Sequence, residues 1–228
     1  LRPEWRVQLK AEVMAPLIRS EVLQRVDLSE ELLRCTAYVR YWIERAGCKT
    51  FRLQAPAPGV PLIVGGRNVA RVSEIDASNG IWQVELHNKQ EDEYGLTVQY
   101  QIARGTVVKP LKTLEVESQK GFVVVMAGGR AQVSIVGEPP GLKPEDSRSI
   151  PANFGAGDLA DAIYCFRAIG SDYELPLQVV RHDLAEALRA QVNYVRLESV
   201  LSDGVPVLTR AELDMTVDNL PALDVTLP

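Results

Sequence analysis

The chain has 228 residues, 46% hydrophobic, 24% charged and 6% aromatic, with 16 Gly and 14 Pro. That composition excludes a disordered tail, a collagen-like repeat and a disulfide-stapled miniprotein, and the length suits one large domain or two of roughly 100 residues each. Lys plus Arg is 25, Asp plus Glu is 30, the formal charge is −5 and no basic tract occurs, which argues against a nucleic-acid partner that needs clustered cations to displace counterions.

No run of about 18 apolar residues is present, so no helical membrane span is expected. Leu1-Arg2-Pro3-Glu4-Trp5 lacks the apolar core of a signal peptide, and processing or cloning is expected to have removed what preceded it. Cys35, Cys48 and Cys165 are scattered with no CxxC spacing, which indicates neither a zinc site nor a disulfide framework.

In chain order the dominant period is two. Trp5 to Val13 alternates as a strand with one buried face. Ser29-Glu30-Glu31-Leu32-Leu33 suits one helical turn or a loop. Cys35, Ala37, Val39, Tyr41 and Ile43 alternate next, Ala46-Gly47 supplies a turn, and Phe51-Leu53-Ala55 alternates up to Pro56, which predicts a β-hairpin. Gly65-Gly66-Arg67-Asn68 is expected to turn between Leu62-Val64 and Val69-Val72. A second hairpin is predicted from Trp82-Leu86 and Leu96-Ile102 around the polar stretch Asn88-Glu93. A third would join Phe122-Met126 to Gln132-Val136 through Ala127-Gly128-Gly129-Arg130. Asp158-Ala162 and Asp183-Ala190 are the remaining helical candidates.

Short strands with frequent turn signals predict a mainly β fold: an antiparallel β-sandwich, immunoglobulin-like or related, followed by a smaller β segment. Between Gly137 and Gly157 lie Pro139, Pro140, Pro144 and Pro151 with almost no alternation. A residue without a backbone donor cannot sit in a central strand, so this stretch is expected to be a connector. The predicted domains are residues 1–150, with the connector from about 137, and residues 151–228. The second segment also echoes the first. Val205 to Met215 alternates like Leu33 to Ile43, and Leu223-Val225-Leu227-Pro228 like Phe51-Leu53-Ala55-Pro56, at a constant offset of 172 positions, Tyr41 to Leu213 and Pro56 to Pro228. One sandwich followed by the opening strands of another fits this pattern. A half-built sandwich leaves an apolar face bare, so the second segment is expected either to pack on the first or to belong to a longer protein.

Tyr173 to His182, Arg210 to Asn219 and Leu223 to Pro228 carry "y-x-L-x-L-x-V" and "N…L-x-V-x-L-P" strands, and Glu93 to Tyr100 carries "G-x-Y-x-L-x-V-x-Y" in looser form. The chain thereby resembles the tandem β-sandwich modules of large bacterial cell-envelope proteins over about half its length. The resemblance implies a multi-domain periplasmic or surface protein, with other domains of the same parent or other envelope proteins as partners, and contact rather than catalysis as its role.

The expected binding surface is Tyr38, Arg40 and Trp42. Their shared parity puts them on the strand face opposite Val39, Tyr41 and Ile43. Two aromatics flanking a cation can stack on a sugar or a partner protein; alternatively another strand or loop covers them. Tyr94 is expected to pack its ring in the core and donate its hydroxyl to a backbone carbonyl. His87 and His182 are the two histidines, and His182-Asp183 has no assignable nucleophile. Glu91-Asp92-Glu93 is expected to be a solvated turn, and Asp158 with Asp161 could help bind a cation only where several further oxygens converge. No metalloprotease, phosphate-loop, nucleophile-elbow or calcium-loop motif occurs, so no catalytic residue, metal or cofactor is assigned. Cys35 and Cys48 are expected not to be bridged, and Cys165 remains open to a partner. The competing function is a carbohydrate-active enzyme or its carbohydrate-binding accessory domain, with a carboxylate pair or His182 in a cleft.

Overall fold

Side chains that are hydrophobic at every second position are stable in a sheet with one covered face. The computed structural model of the chain is accordingly 67% strand and 3% helix, with an antiparallel-rich sheet and no closed barrel. It describes residues 14–28, 32–103, 105, 107–126, 131–181, 190–201, 204 and 207–217. The expected strand at Trp5–Val13, the turns at Ser29–Glu31 and Ala127–Arg130, the helix at Asp183–Arg189 and the strand at Leu223–Leu227 lie outside the described residues. None of the helices among the described residues is long and apolar enough to cross a membrane.

Contacts divide the chain into two units, Leu1–Arg181 and His182–Pro228. In the first, β1 (Leu17–Leu28) pairs antiparallel with β2 (Leu32–Gln54). β3 (Ile63–Gly66) and β4 (Val69–Asp76) both flank β5 (Ile81–Ala103), which pairs with β2 near both its ends, with an irregular stretch between. β6 (Lys112–Leu114) adds to the end of β2, and β7 (Ser118–Met126) lies parallel to β1. β8 (Ala131–Ile135) pairs not with β7 but with β11 (Leu177–Arg181), and β9 (Leu142–Pro144) with β10 (Ala162–Ala168), which continues the main sheet beyond β7.

All four expected hairpin connections are therefore corrected. β2 and β5 are each a continuous 23-residue strand. The residues taken for turns are irregularities in their pairing, where Arg45 and Asp92 adopt positive φ of 72° and 63°. Such a bulge bends a strand and increases its twist. The bend is large. Ten positions along a straight strand would hold Tyr41 and Phe51 about 33 Å apart, yet their ring centroids are 4.4 Å apart. The ribbon folds over itself, and Phe51 also stacks on Tyr94 at 5.3 Å. This doubling makes the first unit sandwich-like, with Val39, Tyr41, Leu53, Val84, Leu86 and Val98 inside. On the far side of β5, β3 and β4 run in the same direction as one kinked edge, so Arg67-Asn68 is a kink and not a hairpin turn. The kink is tied to the bulge of β5: the Tyr94 hydroxyl donates to Arg67 O at 2.6 Å, and the His87 N–H to Asn68 O at 2.9 Å. Tyr94 is buried, as expected for it.

The inner face of β1 is partly polar. Gln24, 1% exposed, donates from Nε2 to Lys109 O and accepts from the Leu111 N–H, both at 3.1 Å. Gln119 accepts from the Thr113 N–H and hydroxyl, each at 2.8 Å, and the Ser20 and Thr113 hydroxyls lie 2.6 Å apart. These amides replace ladder bonds where residues 109–113 cross the sheet face. Gln24→Leu keeps the volume but strands a buried N–H and a half-buried carbonyl, at a cost of about 2 kcal/mol. Urea unfolding should show the lower midpoint, and an unchanged midpoint would mean that water replaces the amide.

The proline-rich stretch is part of the first unit. It folds as β9 and two single 3₁₀ turns, Ser147–Ser149 and Ala152–Phe154. Ile150, Phe154 and Ala156 bury against Leu23, Val124 and Met126, on the face of the sheet opposite the main core. The division in contacts falls after Arg181, not near residue 150 as expected, because β10 and β11 pair back onto β7 and β8. The helical candidate at Asp158–Ala162 is instead a turn leading into β10, the Asp158 carboxylate accepting from the Ala160 N–H at 2.8 Å.

In the second unit β12 (Ala190–Val200) and β13 (Leu208–Val217) form an antiparallel hairpin with one irregularity at Asn193.

Candidate functional site

Parity along three neighbouring strands builds the candidate face. On the sheet side away from the main core, the register aligns Trp42, Arg19 and Ser118 in one cross-strand row and Arg40, Glu21 and Lys120 in the next. The third row is Tyr38, Leu23 and Phe122. Tyr38, Arg40 and Trp42 thus share a face as expected, but they are not one exposed patch. Tyr38 is half-buried against the cluster of Leu23, Phe154 and their neighbours, and Arg40 is 9% exposed. The segment around Phe154 is the cover.

Arg40 is held from several sides. Its guanidinium centre lies 4.9 Å from the Trp42 ring centroid and 5.8 Å from that of Phe154. Its Nε and Nη2 donate to Glu93 Oε1 at 3.0 and 2.5 Å. Glu93 belongs to the run expected to be a solvated turn, and the bulge of β5 instead aims it at this cation. A guanidinium between two rings and a carboxylate gains cation–π attraction while remaining neutralised. Arg25 anchors the cover at the far end by donating to Ala156 O at 3.1 Å. Its hydrogen bonds to Asp27 raise its pKa above the ordinary value, against the opposing effect of burial.

Where the cover stops, a cleft of about 310 Å³ opens over the first two rows, lined by Arg19, Ser20, Glu21, Trp42, Ser118 and Lys120. Arg19 pairs with Glu44, whereas Lys120 has no carboxylate partner among the described residues. Trp42 is half-buried and Lys120 and Ser118 are exposed. Only Trp42 and its neighbour Arg40 were singled out by sequence reasoning. Arg19, Glu21, Ser118 and Lys120 lie on two other strands, and no local pattern links them.

A larger concavity of about 440 Å³ gathers loops near Pro56, Pro110, Pro140 and Tyr173. Its lysines are already neutralised, Lys109 by Glu174 at 3.3 Å and Lys112 by Asp172, and its aromatic lining residue, Tyr173, is 7% exposed.

His87 is exposed in β5, while His182 and Asp183 lie outside the described residues. Among the described residues no three His, Cys, Asp or Glu side chains converge as a metal site would need. All three cysteines are free thiols, Cys35 and Cys48 buried and Cys165 half-buried. Burial pushes the Cys35 thiol up to about 12, and raises Cys48 and Cys165 as well. The reactive thiolate is thereby scarce at neutral pH. No family model matches the chain, and no curated protein matches it.

Proposed function

We propose that the chain is a non-catalytic β region of a larger bacterial envelope protein, periplasmic or at the cell surface, whose role is to contact other modules of its parent or other envelope proteins. The hairpin of β12 and β13 carries this reading. The register puts Val192, Val195, Leu197, Ala211, Leu213 and Met215 on one face. The other face carries the opposite-charge cross-strand pairs Arg196↔Glu212 and Glu198↔Arg210, with Arg196 and Glu198 bonded at 2.6 Å. The hairpin is amphipathic, and on its apolar side, among the described residues, Leu197 is 65% and Val195 50% exposed. A two-stranded hairpin is marginal in water unless further strands or a covering layer bury such a face.

The hairpin of β1 and β2 offers a comparison in which both outer edges are paired. Shifted by 172 positions β12 falls on Ile18–Leu28 of β1, but β13 reaches Leu33–Trp42 of β2 only at a shift of 175, so the expected constant offset fails and Leu213 falls on Tyr38, on the face away from the main core, and not on Tyr41. The pair Val200↔Leu208 then falls on Leu28↔Leu33. β1 and β2 have β7 and β5 along their edges and the main core on their inner face. Two hairpin faces stacked together would bury only about 700 Å² by strand dimensions, short of the roughly 1,200 Å² of a stable interface. The partner of the hairpin is therefore a β surface larger than a second copy of the hairpin. Buried, weakly ionised thiols are compatible with an oxidising compartment.

Amide exchange on the whole chain tests this reading. Residues 190–217 should exchange much faster than β1 and β2, and the chain should bind an apolar dye whose signal falls in the Leu197→Lys/Leu213→Lys double variant. Protection of β12 and β13 equal to that of β1 and β2, with no dye bound, would show the face already covered and defeat the proposal.

A further inference from the structure

The geometry points to the cleft over β2, β1 and β7 as a binding site for an acidic saccharide, with a pyranose ring stacked on Trp42 and its carboxylate held by Lys120 and Ser118. The site is independent of the hairpin of the second unit. Trp42 and Ser118 flank Arg19 in one row, and Lys120 stands one row further along. Strand spacing puts the Trp42 and Lys120 backbones ~12 Å apart across the face, a span suited to one or two sugar rings in the cleft of about 310 Å³.

The chemistry of the lining selects the ligand. An indole offers a flat apolar surface for the C–H face of a pyranose. Arg40 locks that ring in place through its own contacts with Glu93 and Phe154, so little ordering remains to be done on binding. Glu21 and Ser118 supply an acceptor and a hydroxyl for sugar hydroxyls. Lys120, the lining cation without a carboxylate partner among the described residues, makes an acidic ring preferable to a neutral one. A peptide would need apolar pockets for its side chains, and beside Trp42 the cleft is lined by Arg19, Ser20, Glu21, Ser118 and Lys120.

The test is a titration of the whole chain with trigalacturonate and with its fully methyl-esterified, uncharged form, followed by tryptophan fluorescence and by chemical-shift changes. The acid form should bind at least about 10-fold tighter than the ester, and more weakly as salt rises. Trp42→Ala should weaken both about 10-fold or more, with Trp42→Phe retaining part of the affinity. Lys120→Gln should weaken the acid form about 5-fold and leave the ester unchanged; being an exposed position, it also leaves folding intact should Trp42→Ala not fold. Absence of saturable trigalacturonate binding, or binding indifferent to both Lys120→Gln and Trp42→Phe, would overturn the assignment. Equal displacement by tetraglutamate would reassign the cleft to acidic peptides and overturn it too.

Discussion

Phe51→Ala is expected to cost about 3–5 kcal/mol, the range for removing a buried phenylalanine that the surroundings cannot collapse to fill. Phe51 is 3% exposed and sits between Tyr41, at 4.4 Å between centroids, and Tyr94, at 5.3 Å. It joins the two halves of the folded ribbon, so its loss opens the contact that the bulges at Arg45 and Asp92 exist to make. Against a total stability of about 5–15 kcal/mol, such a variant should show a much lower denaturant midpoint and a weaker near-ultraviolet dichroism. Tyr41→Phe provides the contrast. The Tyr41 hydroxyl is buried with no hydrogen-bond partner, and an unpaired buried hydroxyl costs about 1–3 kcal/mol. Removing it while keeping the ring should leave stability unchanged or raise it. A Phe51→Ala loss of under about 1 kcal/mol would mean that the two layers are held elsewhere.

The same ribbon shows where the sequence could be read and where it could not. Alternation located the halves of β2 and β5 because each has one face on the main core. It did not reveal that the halves were continuous. A bulge with positive φ uses the same short, polar and glycine-rich segments as a hairpin turn, and Arg45-Ala46-Gly47 and Asn88–Glu93 satisfy both descriptions. Tyr94 was legible because a tyrosine opening an alternating strand has few ways to place both ring and hydroxyl. β1 was not legible at all. Ser20 and Gln24 point inward and Leu23 outward, so its alternation is broken by the polar network on one side and by the cover on the other.

That cover explains the rest. Prolines mark residues 139–151 as unable to join a central strand, and this is correct for most of the stretch. They do not show that Ile150 and Phe154 have a second sheet face to bury against. Isolated apolar residues among prolines were the available signal. The Arg40 environment depends on it, since Phe154 supplies one ring and the bulge supplies Glu93. The row alignment of Trp42, Arg19 and Ser118 exists only through strand register across residues 76 positions apart in the case of Trp42 and Ser118, and register is set by tertiary packing.

Alkaline pH should unfold the chain cooperatively, with the loss beginning near pH 9–10. Burial raises Tyr41, Tyr100 and Tyr173 well above the usual tyrosine value, Tyr94 to about 12, and the Cys35 thiol to about 12. A group whose folded pKa is raised contributes stability in full below its unfolded pKa. In the native state these groups keep protons that the unfolded chain releases, so stability falls as pH climbs through the window from about 9 for the thiol and about 10 for the tyrosines up to the folded values. Each group removes about 1.4 kcal/mol per pH unit. Four tyrosines together remove on the order of 5 kcal/mol between pH 10 and 11, enough to exhaust a typical domain. Tyrosinate absorbance of these four side chains should therefore appear in one step with the loss of sheet dichroism. Tyr100→Phe or Tyr173→Phe should each flatten the pH dependence by about 1.4 kcal/mol per unit. Ionisation of all the tyrosines while the sheet signal persists would show that the four hydroxyls are reached by water in the folded protein.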